Sequence, residues 1–295
     1  MPRMPSTSLL LAALGLLVLS TGCAAPPADP AGSGPLRIMS FNIRYGTADD
    51  GEDRWELRRD FVMEVIEDFG PHVLGVQEGV DFQMAELRRR FPRMRQLGQH
   101  RMGGTSSEFS GLLVDESRLA VEDWGEFWLS PTPEVVASKG WDAALPRMAV
   151  WAVLSDRTAP AGTRFLAVGT HFDHRGELAR LESARLIVQQ VAAIDNEWRA
   201  PVVILGDFNA GEGSAPMEAI RRSGYIDSFR VAHPDATEVG TFSAFRGETT
   251  GPMIDHLWCS PGWRVESADI LRPRRPDGRC PSDHEPVVAV LSLLR

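Results

Sequence analysis

Several apolar runs in this chain end on a residue able to do chemistry. Ile38-Met39-Ser40-Phe41 leads to Asn42, and Val73-Leu74-Gly75-Val76-Gln77 leads to Glu78. Phe165-Leu166-Ala167-Val168-Gly169-Thr170 leads to His171, and Val202-Val203-Ile204-Leu205-Gly206 to Asp207, with Asn209 close behind. One Asp or Asn after a strand is commonly a turn former. Repeated endings of this kind carry more meaning, because strand ends of an α/β sheet open on a common edge where such groups converge. Two further segments extend the set. Ile254-Asp255-His256-Leu257 places a carboxylate inside an apolar run, and Pro281-Ser282-Asp283-His284-Glu285-Pro286 precedes the last run. A buried aspartate needs a partner, and an imidazole N–H supplies one; an imidazole held by a carboxylate titrates near neutrality and can move a proton.

The elements that must position these groups follow from periodicity. Strands are predicted over residues 36–41, 73–77, 111–114, 148–154, 165–169, 202–205, 254–258, 265–270 and 287–291. Helices are predicted over 54–69, 82–91, 177–198 and 215–223; in the first, Phe61, Val62, Val65, Ile66 and Phe69 recur at helical spacing. Several strands follow one another without an intervening helix, which fits a sandwich with partly antiparallel sheets better than a Rossmann or barrel repeat.

Composition bounds the function classes. The chain has 295 residues, 43% of them apolar, enough for one large core, and a net charge of −9. That charge gives no basic footprint for tight duplex binding through phosphate neutralisation. Residues 1–22 read as a secretory signal, with Ser20-Thr21-Gly22-Cys23 resembling a lipoprotein box that lipidates Cys23. Residues 23–35, rich in Ala, Pro and Gly, read as a flexible tether, and 36–295 as one domain. The protein is therefore expected to be exported and anchored to a membrane in the cell envelope, otherwise periplasmic or secreted, and monomeric. Export would put Cys259 and Cys280 where they can pair as a disulfide or remain thiols.

Ser40-Phe41-Asn42, Val76-Gln77-Glu78, Gly169-Thr170-His171, Gly206-Asp207-Phe208-Asn209, Ile254-Asp255 and Ser282-Asp283-His284, in this order, resemble the motifs of the endonuclease/exonuclease/phosphatase superfamily. The resemblance implies an α/β fold, the four-layer α/β/β/α sandwich called DNase I-like, with the site at one end. It also implies a metal-dependent phosphoric ester hydrolase using Mg2+, with Mn2+ as a substitute. Carried over residue by residue, Glu78 holds the metal, with Asn42 beside it and Asp283 as a second carboxylate. His284 is the catalytic histidine oriented by Asp255, while Asp207 and Asn209 position the attacking water and the phosphoryl oxygens. His171 bonds a phosphate oxygen, Glu108 holds His171, and Arg147 contacts phosphate. Either His284 or Asp207 is the general base, His284 being favoured. Asp173 and His174 either line the cleft or, for Asp173, cap the helix at 177–198. Trp141-Asp142 shapes the pocket or packs.

Departures sort the substrate. Asp207-Phe208-Asn209 continues into Ala210-Gly211-Glu212, and Ile254-Asp255-His256 stands where inositol-polyphosphate phosphatases carry Cys-Asp-Arg. Phe127-Trp128-Leu129-Ser130, Lys139-Gly140-Trp141-Asp142 and Thr170-His171-Phe172-Asp173-His174 are similar to a bacterial branch that names no substrate. The expected activity is hydrolysis of a small or lipid-linked phosphodiester by in-line attack of water. A secreted nuclease on DNA or RNA is the alternative, and a non-catalytic binding lipoprotein on the same fold a second. Arginines 88, 89, 90, 93 and 95, and 272, 274, 275 and 279, read as solvated patches, the second set near enough to Asp283 to hold a polyanion.

Overall fold

A computed structural model describes residues 34–294. The signal segment, Cys23 and the tether up to residue 33 lie outside the described residues. Among the described residues, no helix is long and apolar enough to cross a membrane.

Two six-stranded mixed sheets stack face to face. The first contains β1 (Leu36–Asn42), β2 (Val73–Gly79), β3 (Met94–Leu97), β4 (Phe109–Asp115), β11 (Trp263–Ile270) and β12 (Val287–Leu293), in the order β11-β12-β1-β2-β4-β3. The second contains β5 (Leu119–Trp128), β6 (Met148–Asp156), β7 (Arg164–His171), β8 (Val202–Asp207), β9 (Ile226–Asp227) and β10 (Asp255–Cys259), in the order β5-β6-β7-β8-β10-β9. Alternation along each strand builds the layers. In β1, Ile38 enters the core between the sheets, while Met39 and Phe41 face outward against α1 (Trp55–Phe69) and α2 (Asp81–Arg90). In β8, Val203 and Leu205 point inward, while Val202 and Ile204 meet α3 (Glu177–Trp198) and α4 (Ala215–Arg222). The result is the expected α/β/β/α sandwich.

The strands that apolar runs do not reveal are β3, β5 and β9, and all three are sheet edges. β5 shows why: Glu122, Asp123 and Trp124 are exposed and a bulge interrupts its pairing after Val121, so no continuous apolar run marks it. The short helix α5 (Ser228–Ala232) was also unpredicted; the Asp227 carboxylate caps it, accepting from the Phe229 and Arg230 N–H groups.

Helix α3 begins where predicted, but its cap is not Asp173. Asp142, distant in sequence, accepts the N–H groups of Leu178 and Ala179 at 3.2 and 2.6 Å. Asp173 instead locks the loop ahead of α3, accepting from Arg175, Gly176 and Leu145. Cys259 and Cys280 are buried free thiols. The arginine patches are largely neutralised locally: Arg90 pairs with Glu67, Arg95 with Glu116, Arg274 with Glu285 and Arg275 with Glu64.

His72, just ahead of β2, ties the far end of the first sheet to the chain entering β1. Its Nδ1 accepts the Arg37 N–H at 3.0 Å, which requires an unprotonated nitrogen there. Burial, followed by the charges of Arg37 and Arg118, pushes the imidazole down to about 4. The folded state thus favours the neutral ring, so this contribution is complete above the unfolded value near 6.5 and is lost as pH falls towards about 4. Denaturant unfolding at neutral pH and near pH 4.5 is expected to show a loss that is smaller by about 2 kcal/mol in His72→Gln than in the parent protein. Equal losses would contradict the assignment.

Candidate active site

The topology brings the predicted residues to one end of both sheets. β1 and β2 are parallel neighbours that finish at Asn42 and, one residue past Glu78, at Gly79; β7 and β8 are parallel neighbours and finish at His171 and Asp207. Antiparallel strands start where these end. Asp255 opens β10 directly across from Asp207, Arg147 precedes β6, Glu108 precedes β4, and His284 stands ahead of β12. Close approach of β7 and β8 depends on Gly206, where a Cβ would lie 2.1 Å from the Thr170 carbonyl oxygen. A bulge in β2 and left-handed backbone at Glu78 (φ 66°) and Asn209 (φ 48°) turn these side chains at the cleft, local strain of a kind that collects at functional sites.

The centre of the arrangement is Asp207. Its Oδ2 faces Asn42 Nδ2 at 3.1 Å, His171 Nε2 at 3.4 Å and His284 Nε2 at 3.8 Å, while Oδ1 accepts the Asn209 N–H at 2.8 Å. Burial, with the Asp255 charge adding to it, pushes Asp207 up to about 7. The pairing of His284 with Asp255 is as anticipated, Nδ1 to Oδ2 at 2.8 Å. The second carboxylate changes the ring's electrostatics, however. Burial disfavours the imidazolium, but Asp255 and Asp207 together outweigh it and hold His284 well above the usual histidine range. His171 has the opposite balance: burial and the cations Arg147 and Arg101 keep it neutral.

The remaining predicted residues divide. Asn42 reaches both Glu78 Oε1 and Asp207 Oδ2 through its amide nitrogen, and its Oδ1 accepts the Arg44 N–H. It therefore braces two carboxylates of the site. Asn209 donates to the Phe172 carbonyl. Arg147 is buried in the cleft wall, with Nη2 3.2 Å from His174 Nδ1 and Nε 3.7 Å from the Asp173 carboxylate. Glu108 also lines the cleft but does not hold His171; its carboxylate takes Arg101 Nη2 at 2.6 Å. Glu108 was implied by the family resemblance of Ser107-Glu108-Phe109-Ser110-Gly111, and the nearby Arg101 that takes its carboxylate carries no motif.

Several contributors have no recognisable pattern. Arg58 on α1, almost fully buried, donates to the carbonyls of Ile43, Arg44 and Pro281, clasping the loop after β1 to the segment carrying Asp283 and His284. Ser282 Oγ adds a bond to the Asn42 carbonyl at 2.7 Å. Beneath Asp255, the buried His256 joins Asp227 at 2.8 Å to the Ala210 carbonyl at 3.1 Å, supporting the loop that carries Asp207 and Asn209. Arg44, Tyr45 and Phe242 also reach the cleft, which encloses about 600 Å³.

A hard divalent cation suits these donors. Both oxygens of Asp207 face hydrogen-bond donors, whereas Glu78 is half-buried at the cleft with one N–H donor on each oxygen. Asp283 is raised by burial, with the Glu78 charge adding to it and His284, Arg44 and Arg58 opposing, so two carboxylates face one cleft with the Arg44 guanidinium 3.7 Å from Asp283. Glu78, His171 and Asp207 also bring ligand atoms within 4.8 Å of one another. Oxygen donors of this sort, completed by water and phosphoryl oxygens, match Mg2+ or a similar ion.

Residues 39–284 match the endonuclease/exonuclease/phosphatase family. The chain belongs to this family. Its members hydrolyse phosphoric esters, as phosphatases and nucleases, with divalent metals. Among solved structures, a family protein from Bacteroides vulgatus is 32% identical, with a TM-score of 0.80, covering 89% of this chain and all of that one. A mannosyl-6-phosphatase from Bacteroides thetaiotaomicron is 30% identical, with a TM-score of 0.81, covering 88% of this chain and 100% of that one. The human Nocturnin catalytic domain, 19% identical with a TM-score of 0.71 over 88% of this chain and 95% of that one, shares the fold. No curated protein matches the chain.

Proposed function

We propose that the protein is an exported, divalent-cation-dependent hydrolase of a small phosphate ester, a phosphodiester in the first reading, acting as a monomer from a lipid anchor at Cys23. The observation that carries the catalytic reading is the convergence of Asn42, His171 and His284 on one oxygen of Asp207, beside Glu78. Glu78 would hold the cation with Asp283 facing it, and the cation when bound supplies Lewis-acid stabilisation of charge on the phosphoryl oxygens. Asp207, raised towards neutrality, orients the attacking water and takes its proton. This moves the base from His284, favoured by sequence, to Asp207, because the two carboxylates facing His284 keep its proton on. The imidazolium then stabilises the negative charge building on phosphorus-bound oxygen, with the neutral His171 N–H and the Arg147 guanidinium assisting.

A second reading is a phosphomonoesterase. The buried Arg147 guanidinium has no carboxylate within hydrogen-bond distance, a setting that favours a more highly charged phosphoryl group. The 30% identical mannosyl-6-phosphatase supports it. A nuclease is less favoured, since the arginines near Asp283 are engaged with Glu285, Glu64 and Asp277.

A panel with Mg2+ separates these: bis-p-nitrophenyl phosphate, p-nitrophenyl phosphate, mannose 6-phosphate, a phosphatidyl lipid and plasmid DNA. Cation-dependent release from small esters, diester above monoester, is the expected result. Monoester above diester would promote the second reading, plasmid cleavage alone would promote the nuclease, and no turnover of any ester would remove the enzyme reading.

A further inference from the structure

Phe242 breaks a pattern. Of the large apolar side chains exposed among the described residues, it is the one that lines the catalytic cleft, and 44% of its surface is open. Its ring lies against the His284 imidazole, centroids 5.0 Å apart at 60°. The strand-like bridge between Phe242 and His284 fixes the backbone at this point. Both neighbours are tied down as well. Thr241 Oγ1 accepts the N–H groups of Ile254 and Asp255, its carbonyl accepts the Glu285 N–H, and the Ser243 N–H donates to the Asp283 carbonyl. The aromatic ring is thus held on a rigid mount between the two segments that supply Asp255 and His284.

An exposed aromatic face costs stability unless something covers it, and the sides of this cleft differ in character. Arg44, Arg101 and Arg147 offer charge for a phosphoryl group, while Phe242 and Ile254, whose N–H is bonded to the neighbouring Thr241, offer none. A ring laid on Phe242 would stand next to His284, the group that the proposed mechanism sets against the phosphoryl oxygens.

We propose that Phe242 is the platform of a leaving-group subsite that takes a ring with an apolar face, so that the substrate is the phosphate ester of a ring-bearing alcohol. A sugar and a flat aromatic group each offer such a ring; stacking on Phe242 is common to both. The proposal rests on the phosphate-ester reading for its catalytic meaning, and its binding test does not depend on turnover.

The test is calorimetric binding of methyl-, cyclohexyl- and phenylphosphonate, which are not hydrolysed at phosphorus and carry the same charged group, to the full domain with Mg2+. The ring-bearing phosphonates are expected to bind roughly 5- to 10-fold more tightly than methylphosphonate. Phe242→Ala is expected to abolish that difference, so that all three phosphonates bind with equal affinity, and Phe242→Trp to retain it. Phenyl above cyclohexyl indicates a flat aromatic group, and parity between them a sugar-like ring. Equal affinity for all three in the parent protein, a ring preference that survives Phe242→Ala, or no phosphonate binding at all would overturn the proposal. A ring preference in a protein that hydrolyses no ester would leave the subsite standing and remove the hydrolase reading instead.

Discussion

His284→Gln is expected to lower kcat by about 10³- to 10⁴-fold, roughly 4 to 5 kcal/mol of transition-state stabilisation, with KM little changed. The size follows from what the ring does: it sits between the Asp255 and Asp207 carboxylates, is held protonated by both, and among the described residues no arginine or lysine pairs with Asp207 in its place. Gln keeps a hydrogen-bonding amide but not the charge. Because activity needs the imidazolium, the alkaline limb of the pH–rate profile belongs to His284 and should vanish in this variant. A basic limb that persists unchanged would return the ring to the role of an orienting group.

Asp255→Asn should have the second largest effect, about 10²- to 10⁴-fold in kcat, because Asp255 accepts from Nδ1 and fixes which nitrogen of His284 faces Asp207. Its charge raises both partners, so the sign is the same for each. Without it, Asp207 ionises at lower pH and His284 loses its proton at lower pH. Activity requires Asp207 ionised and His284 protonated, and both limbs of the bell therefore move to lower pH in Asp255→Asn. Limbs that stay in place, or that move in opposite directions, would show that Asp255 acts on His284 by packing alone.

How far these residues were visible beforehand depended on the kind of structure carrying them. Central strands buried on both faces are continuous apolar runs, and the polar residue ending each run is conspicuous; Asn42, Glu78, His171 and Asp207 were found that way, the last three line one cleft and the buried Asn42 bonds two of them. Edge strands such as β5 mix exposed charge with buried apolar groups and give no such run. Residues outside the strands gave still less. Arg101, Arg58 and Phe242 have no spacing or composition that distinguishes them from other arginines and aromatics, and their roles appear once β1, β4 and β10 converge. Glu108 illustrates the intermediate case: its position was legible, and its partner was not, since a carboxylate pairs with whichever cation the loop delivers, here Arg101. His256 was visible only as part of the motif with Asp255; its bonds to Asp227 and Ala210 depend on two segments well separated in sequence.

The central claim is that this chain hydrolyses a phosphate ester with a divalent cation held at Glu78. Chelator-treated protein should release no phosphate or p-nitrophenol from the ester it prefers, and adding Mg2+ should restore turnover along a saturable curve. In Glu78→Gln, the Mg2+ concentration for half-restoration should rise by at least about 10-fold and the plateau should fall by at least about 100-fold, as loss of the carboxylate assigned to hold the cation requires. Full turnover after chelation, or a Glu78→Gln curve that overlays the parent's, would contradict the account.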